Sequence, residues 1–155
     1  MKNLKSLYFL ITFTFVTGLI GLYLNHKNLI LPSSKLTGYQ VLALQLQSLK
    51  NNTKLRNDRG IEQVFIFAHP DNKKVTGPIK NFKKIIKSEA YSIFLDHSKS
   101  EVGIVHKDEY HEVYFVKIIK NQKSRTFLWT LITYVDNDKN SFWYTVSVIP
   151  YQYKV

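Results

Sequence analysis

Two patterns of apolar residues divide the chain into a helical first part and a strand-rich second part. Between residues 36 and 49, Leu42, Leu46 and Leu49 recur at helical spacing and form one stripe, which predicts a helix with a single buried face. From Ser100 onward, β-branched and aromatic residues concentrate in segments of strand length. We predict four strands there, at residues 101–106, 111–120, 125–135 and 142–150.

Short polar segments separate the predicted strands. They comprise residues 107–110, 121–123 and 136–140. Connections of this length join neighbouring antiparallel strands, whereas parallel strands need long crossovers. The sequence therefore predicts an antiparallel meander.

Weaker helical patterns fill the part of the chain between the first helix and the strands. Residues 51–59 are polar and turn-forming, and a short helix is predicted at residues 61–67. Gly77 and Pro78 open a third helix, because proline suits the first helical turn. The apolar face of that helix comprises Ile79, Phe82 and Ile86. A short helical piece is predicted at residues 89–95.

The first 27 residues form a segment of their own. Residues 7–24 are uncharged and predominantly apolar, and as a helix they would reach ~27 Å, close to the thickness of a bilayer core. The residues after Leu24 are bulky or charged, unlike the small residues of a signal-peptide cleavage site. We therefore expect an uncleaved transmembrane anchor. A cleaved signal peptide and a buried core helix are the alternatives.

Helices followed by four antiparallel strands define an α+β domain. We predict a transmembrane helix within residues 1–27, a tether at residues 28–36, and one domain at residues 37–155. In that domain helices pack on a curved four-stranded antiparallel sheet. The chain contains no cysteine, which excludes disulfides and thiolate metal sites.

One polar stretch is unusually specific for a connection between apolar segments. Residues 67–78 read Phe-Ala-His-Pro-Asp-Asn-Lys-Lys-Val-Thr-Gly-Pro. This order resembles the Phe-Ala-Ser-Pro-x-Asn-basic-x-x-Thr-Gly-Pro stretch of an uncharacterised family of plants and bacteria. That family belongs to the nuclear-transport-factor-2-like superfamily, which has a cone-shaped α+β fold. The matching residues, for which we expect a structural role, are Phe67, Pro70, Asn72, Thr76, Gly77 and Pro78.

The resemblance implies a cone that often encloses an apolar pocket, and some members of the superfamily are isomerases or dehydratases with a base inside the cone. Here residues 113–119, 127–135 and 142–149 contain no carboxylate. A base would have to come from the rim, where the candidates are Asp96, His97, His69 and Glu101. A general base must lie within hydrogen-bond reach of its substrate, so we expect no catalytic residue and no cofactor.

His69 lies within the motif and has two interpretations. It could contact a ligand at the cone mouth, or it could fix the loop through hydrogen bonds to the backbone. The resembling family often has serine at this position, and serine shares the hydrogen bonding of histidine but not its basicity. We therefore favour the role in fixing the loop.

His106 and His111 flank a predicted turn that is rich in carboxylates. Imidazole and carboxylate together can bind zinc or copper. The carboxylates are Asp108, Glu109 and Glu112. Their spacing is loose and such residues are ordinary around turns, so we predict no metal site.

The chain carries a formal net charge of +11. Four lysines of the third helix recur at positions i, i+3, i+4 and i+7, opposite its apolar face, and could contact anionic lipid. They are Lys80, Lys83, Lys84 and Lys87. The alternative is a solvated surface that keeps the domain soluble. Nucleic acid is a poor partner, because no recognition motif appears and no exposed aromatics alternate with the basic residues.

These observations favour a single-pass membrane protein that carries a non-catalytic interaction or assembly domain. The expected partners are membrane lipid and either another protein or a homo-oligomer, bound at the cone mouth or the open sheet face. The alternative function is a protein that binds a small apolar ligand, or an isomerase- or dehydratase-like enzyme of the cone pocket. The resemblance and the Lys, Asn and Ile content fit a plastid membrane or a bacterial inner membrane.

Overall fold

The computed structural model describes residues 28–151. The predicted transmembrane segment at residues 7–24 therefore lies outside the described residues. Within residues 28–151, no helix is long and apolar enough to cross a membrane. The described part has the predicted α+β architecture, in which helices pack on a four-stranded antiparallel sheet.

The sheet consists of β1 (Lys99–Lys107), β2 (His111–Lys120), β3 (Lys123–Val135) and β4 (Ser141–Tyr151), side by side in chain order. Every neighbouring pair is antiparallel, which confirms the predicted meander. An extra residue interrupts the register in β1 at Val105 and in β4 at Val146. Such bulges bend a strand and increase its twist.

The first helix, α1 (Gly38–Lys50), is the predicted helix with the leucine stripe. The Thr37 hydroxyl accepts a hydrogen bond from the Gln40 N–H, and the Gln40 side chain accepts one from the Thr37 N–H. This reciprocal capping box satisfies two N–H groups that a helix start leaves unpaired. Leu42, Leu46 and Leu49 are all buried, as their spacing predicts.

Four shorter helices and one turn of 3₁₀ helix follow. They are α2 (Asn52–Leu55), α3 (Arg59–Ile66), α4 (Pro70–Thr76), α5 (Ile79–Ile86) and the 3₁₀ turn Ser92–Phe94. The prediction of turns alone at residues 51–59 was wrong in part, because α2 lies there. The motif was expected to be a loop, but most of it forms α4. The helical piece predicted at residues 89–95 is a 3₁₀ turn of three residues.

The core lies between α1 and one face of the sheet, which we call the inner face. Tyr114, Val116 and Ile118 alternate along β2 on this face and are fully buried. The Phe94 ring centroid lies 4.4 Å from that of Phe127 and 5.6 Å from that of Trp129. Full burial of each large apolar side chain stabilises the fold by roughly 1.5–3 kcal/mol, and this layer holds α1 on the sheet.

Gly60 sets the distance between α1 and α3. A Cβ atom at this position would lie 2.2 Å from the Ser48 carbonyl oxygen and 2.8 Å from Asn52 Oδ1. Asn52 Oδ1 also accepts a hydrogen bond from the Ile61 N–H at 3.2 Å. Only glycine lets the two helices approach this closely without displacing backbone.

Candidate functional site

A cavity of about 230 Å³ lies between the edge of β4 and the helices. Side chains of α1, α3, α4 and α5 line it together with residues of β3 and β4. Its lining is mainly apolar and includes Val64, Ala68, Phe82, Ile86, Phe94 and Val148. An enclosed apolar void of ~150 Å³ can hold benzene, so this cavity has room for a small apolar molecule.

The deepest polar atoms of this cavity are satisfied by one another. The Trp129 indole N–H donates to Thr145 Oγ1 at 2.9 Å, and the Gln45 amide also donates to that oxygen at 2.9 Å. Gln45 Nε2 further contacts the Val41 carbonyl oxygen at 3.3 Å. A buried polar network in which every group is hydrogen-bonded adds rigidity, and it leaves no unpaired polar atom that a ligand would have to satisfy.

The motif at residues 67–78 forms one wall of this cavity. The His69 N–H donates to the Thr145 carbonyl and the Thr145 N–H donates to the Phe67 carbonyl, each at 2.8 Å. Ala68, between them, pairs with Thr145 as a one-residue extension of the sheet. The motif thereby extends the sheet past β4 and brings Asn72 and Thr76 of α4 to the cavity lining.

The remaining motif residues set the entries to α4 and α5. Pro70 is the first residue of α4, where its missing N–H costs no hydrogen bond. Gly77 ends α4 with φ 75°, a torsion that favours glycine. Pro78 stands immediately before α5 and accepts hydrogen bonds at its carbonyl from the Asn81 and Phe82 N–H groups. These three residues therefore stand at the ends of α4 and α5, and the structural role expected of the motif stays a prediction.

His69 caps α4 and lies outside the cavity lining. Its Nδ1 accepts a hydrogen bond from the Asp71 N–H at 3.2 Å, which agrees with the backbone-fixing interpretation, although the structure fixed is a helix start and not a loop. The His69 ring also lies 6.1 Å from the Tyr134 ring and 6.2 Å from the Tyr144 ring. His69 therefore joins the motif to aromatic residues of β3 and β4.

The other three rim candidates are also engaged away from the cavity. The Asp96 carboxylate accepts hydrogen bonds from the Thr53 N–H and hydroxyl at 2.8 and 2.7 Å. Glu101 pairs with Lys99 at 2.7 Å, and this hydrogen bond lowers the pKa of Glu101. Among the described residues, these carboxylates therefore hold loops and strands together.

His97 is 2% exposed and lies in the turn before β1. Its Nδ1 lies 2.7 Å from the Phe94 carbonyl oxygen, so Nδ1 carries the proton and donates. Its Nε2 is buried and has no hydrogen-bond partner among the described residues. Burial lowers the pKa of His97, and the nearby charges of Lys50 and Lys120 lower it further.

Glu112 is a buried carboxylate that the sequence reasoning about the sheet interior missed. It is 2% exposed, accepts a hydrogen bond from the Tyr114 hydroxyl at 2.5 Å and pairs with Lys107 Nζ at 2.8 Å. Burial, and then the hydrogen bond to Glu112, raise the pKa of Tyr114. The alternation of inward and outward side chains along β2 could have revealed the burial of Glu112, because Glu112 shares its face with Tyr114 and Val116.

Glu112 lies against the start of α1. A Cβ atom on Gly38 would fall 2.1 Å from Glu112 Oε2 and 3.1 Å from Trp143 Cδ2. Gly38 is the first residue of α1, whose first turn has no acidic residue of its own. The Glu112 carboxylate therefore supplies negative charge at the positive end of the helix dipole. Glu112 does not line the cavity, so its role is structural.

The residues around His106 and His111 form a closed turn. Asp108 lies 2.8 Å from His106 Nε2 and 3.6 Å from His111 Nδ1. It also accepts hydrogen bonds from the Tyr110 and His111 N–H groups. These contacts, with the His106 hydrogen bond foremost, lower the pKa of Asp108. Within residues 28–151, no group of three or more histidines and carboxylates is arranged to hold a metal ion.

The four lysines of the stripe, three on α5 and Lys87 directly after it, differ in their surroundings. Lys83 pairs with Glu62 and Lys87 pairs with Asp58, each at 2.7 Å. Lys80 and Lys84 are exposed and form no ion pair with another described residue. Two lysines of the predicted stripe, Lys83 and Lys87, are thus paired with acidic groups at α3. The other two, Lys80 and Lys84, are available to a partner.

The side of the sheet that faces away from the helices carries a second apolar surface. Strand pairing places Phe115, Leu128 and Ile149 in one row across β2, β3 and β4, and His111, Ile132 and Tyr144 in another. Val113, Thr130 and Ser147 form the row between them. We call these three rows the outer sheet face. Its side chains are half-buried, apart from His111, which is exposed, and Ile149, which is 55% exposed.

Comparison with models of protein families, with curated proteins and with solved structures finds no match for this chain.

Proposed function

We propose that this chain is a non-catalytic binding domain, held at a membrane by residues 7–24, that assembles with a protein partner through its outer sheet face. The observation that carries the proposal is the apolar character of that face. In an antiparallel sheet with one solvated face, alternation leaves polar residues toward water. Leu128, Ile132 and Phe115 break that rule although each is half-buried, and contiguous apolar surface that water can reach commonly marks a contact site.

Two observations favour binding over catalysis. The buried acidic and histidine side chains of the described part, Glu112 and His97, lie outside the cavity lining. The polar atoms at the base of the cavity are uncharged and are bonded to each other. A general base must be free to reach a bound substrate.

The first described residues support an arrangement in which the helical layer faces the membrane. Ile30 is joined to Gln63 of α3 by two hydrogen bonds of 2.7 Å, so the chain enters the domain beside α3. The neighbouring helix α5 is tied to α3 by the ion pair between Lys83 and Glu62. An anchor at residues 7–24 would therefore bring α5 close to the bilayer and leave the outer sheet face directed away from it.

We include membrane lipid among the proposed partners on these grounds. Lys80 and Lys84 are the members of the lysine stripe that are available to anionic headgroups, at ~1 kcal/mol for each lysine near the surface. A bacterial inner membrane and a plastid membrane both fit. The order of helices and strands supports membership of the nuclear-transport-factor-2-like superfamily as a further part of the proposal.

The proposal can be tested with two exposed isoleucines. Ile149 lies on the outer sheet face, whereas Ile104 is 64% exposed on β1 and pairs with Tyr114 of the inner face. The full chain, extracted from membranes in mild detergent, should migrate as a complex on a native gel. Ile149→Lys should dissociate the complex, and Ile104→Lys should leave it intact. An unaltered complex in Ile149→Lys would count against the proposal.

The cavity favours a second candidate function, the binding of a small, uncharged and largely apolar molecule. The volume of the cavity, about 230 Å³, and its apolar lining support this candidate. Native mass spectrometry of the purified protein should then detect a stoichiometric adduct. Ile85→Trp, which adds volume at a partly exposed lining residue, should remove the adduct without unfolding the chain. Retention of the adduct in that variant would place the ligand elsewhere.

A further inference from the structure

We propose that the turn at residues 94–98 opens when the buried ring of His97 takes up a second proton, so that acid loosens the connection between the helices and the sheet. We call residues 94–98 the His97 turn. The inference does not depend on the partner at the outer sheet face. Three observations lead to it: the surroundings of the two ring nitrogens, the positive charges near the ring, and the contacts of the turn.

The His97 ring is held in one orientation and in its neutral form. The ring is 2% exposed, and Nδ1 carries the proton that is donated to the Phe94 carbonyl oxygen at 2.7 Å. The other nitrogen, Nε2, is buried and has no hydrogen-bond partner among the described residues. A proton added at Nε2 would create a buried cation whose new N–H group finds no acceptor on residues 28–151. Such a charge is costly to bury, and the cost is relieved when the ring reaches water.

The charges near His97 add to this cost. Burial is the main cause that lowers the pKa of His97, and the ammonium groups of Lys50 and Lys120 lower it further. Lys50 is the last residue of α1 and Lys120 is the last residue of β2, so positive charge acts on the ring from both elements. The hydrogen bond to the Phe94 carbonyl and the Asp96 carboxylate act in the opposite direction, but the net effect still disfavours the cation.

The His97 turn joins α1 to β2. The Asp96 N–H donates to the Leu49 carbonyl of α1, and the Ser98 N–H donates to the Ile119 carbonyl of β2, each at 2.9 Å. Asp96 has φ 52°, in the left-handed region that a residue with a side chain enters at a cost. The contacts of the turn therefore hold it closed against an unfavourable torsion, and loss of the His97 contact favours opening.

The turn also supplies part of the cavity wall. Phe94 lines the cavity and packs on Phe127 and Trp129. Its carbonyl oxygen is the atom that His97 holds. Opening of the turn therefore releases Phe94 from this packing and exposes the cavity, so that acid should act on the cavity as well as on the turn.

The sign of the pH dependence follows from the two environments of the ring. In the open turn the ring is in water and has a pKa near the ordinary value of 6.5, whereas in the closed turn the pKa of His97 is lower. The closed turn is therefore most stable above pH ~6.5 and loses stability as the pH falls toward the pKa of the closed state. Because one proton is taken up, the equilibrium constant for opening rises by at most about tenfold for each pH unit.

Amide hydrogen exchange of the full chain in mild detergent measures this opening. The amides to follow are those of Phe94, Asp96 and Ser98, with the Val116 amide of the buried strand β2 as the reference. Protection factors of the three turn amides, corrected for the intrinsic pH dependence of exchange, should fall from pH 7 to pH 5 by up to about tenfold for each unit. They should stay below the protection factor of Val116, because a local opening needs less free energy than global unfolding.

Two substitutions test the origin of the effect. His97→Asn keeps an N–H donor near the position of Nδ1 but cannot take up a proton, so the pH dependence of the turn amides should disappear. Lys50→Gln keeps the histidine and removes one nearby charge, so the pKa of His97, measured by nuclear magnetic resonance, should rise toward 6.5. Lys139→Gln, at an exposed position before β4, is the matched control and should leave that pKa unchanged. Circular dichroism of each variant checks that the fold persists.

A pKa of His97 at the ordinary value of 6.5 in the folded parent would overturn the inference. Turn amides that exchange at the same rate as the Val116 amide would also overturn it, because the opening would then be global. PH dependence that persists in His97→Asn would assign the effect to another group. If His97→Asn does not fold, the measured pKa of His97 in Lys50→Gln and Lys139→Gln decides the question. None of these results bears on the outer sheet face, so the proposed function would stand.

Discussion

Replacement of Gly60 by alanine should destabilise the domain, although alanine is the better helix former. The added methyl group would lie 2.2 Å from the Ser48 carbonyl oxygen, which belongs to the backbone of α1. Overpacking of this kind costs typically ~1–3 kcal/mol, and a contact with rigid backbone belongs at the upper end. The higher helix propensity of alanine recovers up to ~1 kcal/mol. We expect a net loss of about 2 kcal/mol in the free energy of unfolding.

Gly103 provides the matched control for this substitution. A Cβ atom on Gly103, in β1, would meet no heavy atom within 4 Å. Gly103→Ala should therefore change the free energy of unfolding by less than about 0.5 kcal/mol. Thermal unfolding followed by circular dichroism should show a Tm lower by roughly 6–10 °C for Gly60→Ala. Equal melting temperatures for the two variants would refute the close approach of α1 and α3.

Three further predictions concern the motif, His97 and the lysines. Gly77→Val should cost roughly 1–3 kcal/mol, because valine is strained at φ 75°; an unchanged Tm would contradict this. Because the pKa of His97 is lowered from 6.5, the unfolded chain binds more protons than the folded chain below that pH. The free energy of unfolding should therefore be highest above pH ~6.5 and fall on acidification. Urea titrations should show the free energy of unfolding falling from pH 7 to pH 5 for the parent and for His111→Gln, but not for His97→Gln. The same fall in His97→Gln would exclude His97 as its source. Lys80→Gln with Lys84→Gln should remove most binding to anionic vesicles, whereas Lys83→Gln with Lys87→Gln should mainly lower Tm, and the reverse assignment would contradict the ion pairs at α3.

The elements that the sequence predicts well are those in which burial repeats along the chain. The leucine stripe of α1 and the alternation of β2 each report a face that packs on the core. The short helices were harder to predict. Helix α2 is held by contacts with residues distant in sequence, such as the hydrogen bonds from Thr53 to Asp96, and a helix of four residues has little intrinsic stability.

The candidate site was less predictable because it depends on which residues meet in space. The motif was singled out by its residue order, but its contact with β4 at Thr145 could not be deduced from spacing. Glu112 was missed because it was considered only as one of the carboxylates around the turn, although the strand predicted at residues 111–120 already includes it. The outer sheet face follows from β2 itself, where apolar residues such as Val113 and Phe115 occupy the face opposite Tyr114.

Thiol labelling of Thr130→Cys tests most directly whether the outer sheet face is a contact surface, since it needs no knowledge of the partner. The full chain in its native membrane would be treated with a maleimide, with Ser88→Cys, at an exposed position just after α5, as the reference thiol. We predict that labelling of the Thr130→Cys thiol is slow relative to the reference in the membrane. It should become faster when the protein is diluted in mild detergent, because dilution separates the partners. The same relative rate in membrane and in dilute detergent would contradict a contact at this face.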